Sequence, residues 1–164
     1  RVAAGLERTA HRLGRAKARH TGWDAFGPGV RRTYAQGAKA LAALGDHPSD
    51  EALHTFRKRA KDLWYQLRLL EPTWPAVLGS LVAVAAELAS ALGDDHDLAV
   101  LAAVLDDHDL DLRGKVRRRI GALVTEERAR LQATARTIGA RLYADHPDAW
   151  EARLNAWWSA SRDR

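Results

Sequence analysis

The chain has 164 residues, 46% of them hydrophobic and 29% charged, which is enough to bury a sizeable core and excludes bulk disorder. Lys and Arg total 26 against 21 Asp and Glu, a formal net charge of +5 with neutral His, and this balance favours an anionic partner. The absence of Cys excludes a disulfide scaffold, a thiolate zinc site and Cys nucleophilic catalysis, and it suits a reducing compartment.

Helix formers dominate, and no run shows the period-2, β-branched alternation of strands. The pattern predicts an all-α domain, an antiparallel helical bundle with short loops. A basic helix is expected over Val2 to Arg19, in a segment of residues 1–22 set apart as a helix and linker. Residues 23–164 are expected to form the bundle itself. Gly22 to Gly29, with Pro28, reads as a loop, followed by a helix from Val30 to Leu44 that ends at Gly45. His47-Pro48-Ser49-Asp50 reads as a turn, with Ser49 or Asp50 capping a central helix, Glu51 to Leu70, that stops before Pro72.

Pro75 is expected to open the next helix, which ends at Leu92 with Gly93 as its C-terminal cap. Asp94 then reads as the N-cap of a helix to Leu105, and the acidic stretch Asp106 to Asp111 as a turn. A long helix from Leu112 to Ala144, with a kink near Gly121 or Gly139, is broken by His146-Pro147, and a last helix runs to Ala160. The richest apolar stretch, Val77 to Leu92, carries Glu87 and falls short of the roughly 18 residues of a membrane helix. No signal peptide is visible. Beginning at Arg1 and lacking Met, the sequence reads as an excised piece or as one whose true start was removed. Asp94-Asp95-His96-Asp97-Leu98 recurs as Asp106-Asp107-His108-Asp109-Leu110, an echo at no known helical repeat length and read as coincidence.

The central helix carries the strongest signal. At 100° per residue, His54, Arg57, Lys58, Lys61, Tyr65 and Arg68 share an arc of about 100°. Leu53, Phe56, Ala60, Leu63, Trp64, Leu67 and Leu70 fall on the opposite side. An ordinary solvated face intersperses acids at i,i+4, because like charges at that spacing repel. No acid stands in this stripe. Two compensations are open: a bound anion, or pairing with acids on a neighbouring helix such as Asp94, Asp95 and Asp97. For Asp97 in particular, a pair with a motif-helix cation is expected.

The run His54-Thr-Phe-Arg57-Lys58-Arg59-Ala-Lys61-Asp62-Leu63-Trp64-Tyr65-Gln-Leu-Arg68 resembles the basic motif helix of the CHAD family, the conserved histidine α-helical domain. Leu92-Gly93-Asp94-Asp95-His96-Asp97-Leu98 is similar to that family's Leu-Gly-x-x-(Arg/His)-Asp-Leu element, with His96 where many members have Arg. Arg31-Arg32-Thr33-Tyr34 with Gly37 and Lys39 resembles the preceding helix, and Arg141-Leu142-Tyr143 before Pro147 the terminal ones; the likeness covers roughly residues 23–161. It implies a helical fold of two pseudo-symmetric halves around a basic channel, binding of inorganic polyphosphate, and no catalysis or cofactor. Carried over residue by residue, the polyphosphate-binding set is His54, Arg57, Lys58 and Lys61, extended by Tyr65 and Arg68. Arg31, Arg32, Lys39, His96 and Arg141 form a second tier.

The family carries one motif helix per half, and only one is present here, since His11-Arg12-Leu13-Gly14-Arg15 lacks the continuation. The chain therefore reads as the C-terminal half, completed by a missing N-terminal half or by a second copy. Polyphosphate has no base to stack on, so its receptor needs charge and donors: Arg forks, Lys point charges, the Tyr65 hydroxyl and a protonated His54. A cytoplasmic location, with association to polyphosphate granules, is the corresponding expectation, with neither a membrane nor a metal involved. Two alternatives come from other classes. An HD-type metal phosphohydrolase would use His96-Asp97 or His108-Asp109 as its dyad with His54 upstream, but cations beside His54 oppose a dication. A nucleic-acid-binding module fits the charge, yet the Trp residues read as core or interface packing rather than base-stacking platforms.

Overall fold

The computed structural model describes residues 22–106 and 114–162, and five α-helices make up almost all of them. They are α1 (Gly27–Ala42), α2 (Asp50–Leu70), α3 (Pro75–Asp106), α4 (Gly114–Leu142) and α5 (Pro147–Arg162), with short 3₁₀ turns at Gly22–Ala25 and Glu71–Thr73. The expected all-α bundle is what the chain forms. The basic helix expected over Val2 to Arg19 and the second Asp-Asp-His-Asp-Leu copy lie outside the described residues.

Local chemistry explains the boundaries. The Ser49 hydroxyl accepts from the Ala52 amide at 3.2 Å, and Asp50 and Glu51 complement the positive end of the α2 dipole. Pro75 and Pro147 open α3 and α5, where their missing N–H costs nothing. Pro28 does the same for α1, so the segment expected to be a loop up to Gly29 is already helical from Gly27. Gly45, at φ 54°, takes the left-handed conformation that separates α1 from α2. Helix α4 runs unbroken through Gly121 and Gly139.

The larger correction concerns α3, which does not stop at Leu92. It continues through Gly93 and Asp94, so neither is a cap. Leu92 is buried on one side of the expected break and Asp95 on the other. Tertiary packing of both overrides the local preferences of Gly and Asp. The continuous helix is long and apolar enough, by length and composition, to cross a membrane, although the sequence showed no unbroken apolar run of that length. In this fold it packs between α2 and α4 and buries Leu78, Ala85, Leu88, Ala91 and Leu92.

Helices α1 and α2 run antiparallel, as do α2 and α3. Arg59 donates to Gln36 at 2.7 Å and Gln66 to Thr33 at 2.9 Å, which registers α1 on α2. Helix α5 returns onto α1: Trp150 stacks on Tyr34 with centroids 4.7 Å apart, and Trp158 meets Trp23 at 6.1 Å. The core is built from Tyr34, Phe56, Leu63, Leu67, Leu70, Leu78 and Leu88, with Trp150 and Leu154 closing it from α5. Gly37 leaves room for the Tyr143 ring, since a β-carbon there would lie 2.4 Å from it.

Candidate functional site

The buried positions of α2 are Leu53, Phe56, Ala60, Leu63, Leu67 and Leu70, as the periodicity predicts. Trp64, expected among them, is only half-buried. Arg68 lies over its indole at 5.2 Å, and Tyr65 leans against it at 4.9 Å between centroids. The opposite face carries the cationic stripe. From His54 to Arg68 it extends about 21 Å at 1.5 Å per residue. Lys58, Tyr65 and Arg68 are exposed; His54, Arg57 and Lys61 are half-buried.

The charge pairing on α2 is selective. Arg59, outside the stripe, pairs with Asp62 at 3.1 Å. Asp50 pairs with Arg128 of α4. Asp50 and Asp62 are thus engaged elsewhere, and among the described residues no ion pair reaches Arg57, Lys58, Lys61 or Arg68. Among the described residues, no acid of the neighbouring helix α3 pairs with the stripe. Asp94 and Asp97 are exposed and form no ion pair with α2, against the expectation for Asp97. Asp95 turns inward, 2% exposed, and bonds to Arg128 and Gln132 of α4 instead.

At the N-terminal end of the stripe, α3 contributes a second imidazole. The His96 ring lies 5.4 Å from that of His54, tilted by 40°. The two line a small cleft with Asp50, Leu53, Leu92, Asp95 and Ala99. One turn further, the Arg57 side chain passes over Gly93, where a β-carbon would stand 3.8 Å from Nε. His54 Nδ1 and Arg57 Nε are buried without a hydrogen-bond partner among the described residues. Both nitrogens thus sit in the stripe with bonding capacity unused.

The second tier divides. His96 joins the stripe. Arg31 is bound to Asp148 of α5, and that pair holds the Asp148 carboxyl below the usual carboxylate range. Arg141 lines a groove with Ala76, Ser80, Leu81, Trp150 and Trp157, none of them on the motif helix. Arg32 and Lys39 are exposed on α1, with no ion pair among the described residues. No group of three or more His, Asp and Glu suited to a metal occurs among the described residues, and His108 lies outside them. The Asp95–Arg128–Gln132 cluster was not legible in the sequence, because its members stand 33 and 37 positions apart with no motif to join them.

The fold is an all-α bundle whose α2 presents four cations with no ion pair among the described residues and whose stripe ends in an imidazole pair. The family model of the CHAD domain matches residues 1–106, well over half of the chain, and the chain belongs to that family. The match takes in the N-terminal segment and ends with α3, leaving α4 and α5 beyond it. No curated protein and no solved structure matches the chain.

Proposed function

We propose that the protein binds inorganic polyphosphate along the α2 stripe and acts as a binding module rather than an enzyme. The observation that carries this reading is the selective pairing on α2. Arg59 has its acid, while Arg57, Lys58, Lys61 and Arg68 have none among the described residues. Four like charges within about three turns repel one another unless a polyanion lies along them. Membership of a family linked to polyphosphate binding supports the same ligand. Residues a turn apart are separated by about 5.4 Å along the axis, so an extended phosphate chain meets a cation, His54 or the Tyr65 hydroxyl about once a turn. Arg offers a fork of donors, Lys a mobile charge, and Tyr65, 50% exposed, a hydroxyl. In this reading a second stripe, from a further half or a second copy, faces the first across the ligand.

Calorimetric titration with long-chain polyphosphate, at moderate and high salt, tests the proposal. Binding should be salt-sensitive and lost in an Arg57→Ala/Lys58→Ala/Lys61→Ala variant that circular dichroism shows still folded. Retained affinity in that variant would move the site elsewhere. Preference for DNA over polyphosphate in competition would replace the ligand.

A further inference from the structure

Asp95 is the one buried charged residue among those described. Burial of a carboxylate is costly unless donors surround it. Three bonds do so here. Arg128 Nε reaches Oδ1 at 3.1 Å, Arg128 Nη2 reaches Oδ2 at 3.5 Å, and Gln132 Nε2 reaches Oδ1 at 2.8 Å. The same guanidinium also donates to Asp50 at the start of α2. One arginine on α4 therefore ties the first residue of the motif helix to the middle of α3. Burial disfavours its charge, but the bonds to Asp95 and Asp50 outweigh that and push its pKa up, so it stays a cation.

The placement of this bridge is what matters. His54 stands one turn after Asp50, and His96 directly follows Asp95. Each end of the bridge thus adjoins one imidazole of the pair that closes the stripe. We propose that Asp95 is a positioning residue: through Arg128 it fixes α3 against α2 in the register that sets His96 against His54. The bridge also withholds the Arg128 charge from the anion site. This inference rests on reading the stripe as a polyphosphate site, but its geometric half does not. The charged groups around the pair are Asp50, Arg57 and Lys58 on α2, Asp95 with the exposed Asp94 and Asp97 on α3, and Arg128 on α4.

The test compares wild type with Asp95→Asn. Should Asp95→Asn fail to fold, the apolar pair Asp95→Leu/Arg128→Met replaces it, since exchanging a whole buried ion pair for apolar groups is often tolerated. Without ligand, nuclear Overhauser contacts between the His54 and His96 rings should be present in wild type and lost in the variant. With long-chain polyphosphate, affinity at pH 6 should fall by about fivefold or more. The ratio of affinities at pH 6 and pH 8 should collapse toward one, and adding His54→Ala should cost nothing further. A folded variant that keeps the ring contact overturns the proposal, and so does one that loses affinity with an unchanged pH ratio. If wild type binds no polyphosphate, the functional reading fails while the ring contact still decides the positioning role.

Discussion

Tyr34 and Tyr143 lie with ring centroids 5.2 Å apart in the core, yet among the described residues only one of their hydroxyls is bonded. The Tyr34 hydroxyl donates to the Leu142 carbonyl at 3.1 Å and accepts from the Asp145 amide at 3.0 Å, closing the end of α4. The Tyr143 hydroxyl is buried with no partner among the described residues. The same substitution should therefore have opposite effects. Tyr34→Phe leaves a carbonyl and an amide unpaired and should cost about 1–2 kcal/mol. Tyr143→Phe removes only an unsatisfied group and should be neutral or stabilising by up to about 1 kcal/mol. Urea unfolding of the two variants measures the difference directly.

The pair also sets an alkaline limit. Burial, above all, pushes both phenols up from their ordinary value, and for Tyr143 the neighbouring Tyr34 adds to it. A group whose folded pKa is raised contributes stability that is intact below the unfolded value, about 10 for Tyr, and is lost as pH rises through the folded value. The thermal midpoint should thus fall above pH 10, with tyrosinate absorbance appearing on unfolding. The fall should be shallower in Tyr143→Phe.

Two glycines that look alike in the sequence should respond oppositely to alanine. At Gly37 the new methyl would lie 2.4 Å from the Tyr143 ring, which Tyr34 and Phe56 hold in place, so Gly37→Ala should lose about 1–3 kcal/mol or more. At Gly93 the nearest contact is an ordinary 3.8 Å to Arg57, and the backbone is helical, so Gly93→Ala should gain up to about 1 kcal/mol. Thermal melts distinguish this from a left-handed cap at Gly93, where alanine would destabilise.

Gly93 also shows where sequence reasoning reaches its limit. The cap of α2, its apolar face and the Pro75 start of α3 were legible because each is set by neighbours within a turn or two. The continuity of α3 was not. It depends on Leu92 and Asp95 being buried, and Asp95 is buried because Arg128 and Gln132 arrive from another helix. The stripe was legible for the same reason as the core face, by periodicity. Which cation Asp62 would neutralise was not legible, since at i,i+4 it could have served Lys58 as readily as Arg59 at i,i+3.

Arg31 illustrates the distinction at the site itself. The family resemblance made it a second-tier phosphate contact, but Asp148, 117 residues later, takes its guanidinium. Arg31→Ala should change polyphosphate affinity by less than about twofold, as removal of an already paired surface cation would. Arg57→Ala should weaken it severalfold, and calorimetry on the two single variants ranks them.

The final prediction concerns protons and salt together. An imidazole donates from both nitrogens only when protonated, and a polyanion alongside favours that form. Affinity should therefore rise from pH 8 to pH 6, and His54→Ala should flatten the rise; an equal rise in the variant would assign the proton to another group. The salt dependence is an independent gauge of the same contact. By analogy with nucleic acids, each neutralised phosphate contributes roughly 0.7 to 0.9 to the slope of log affinity against log salt. Protonating His54 adds a cation to the stripe, so the wild-type slope should be steeper at pH 6 than at pH 8. In His54→Ala the two slopes should coincide. A single titration series across two pH values and three salt concentrations reads both effects from the same protein.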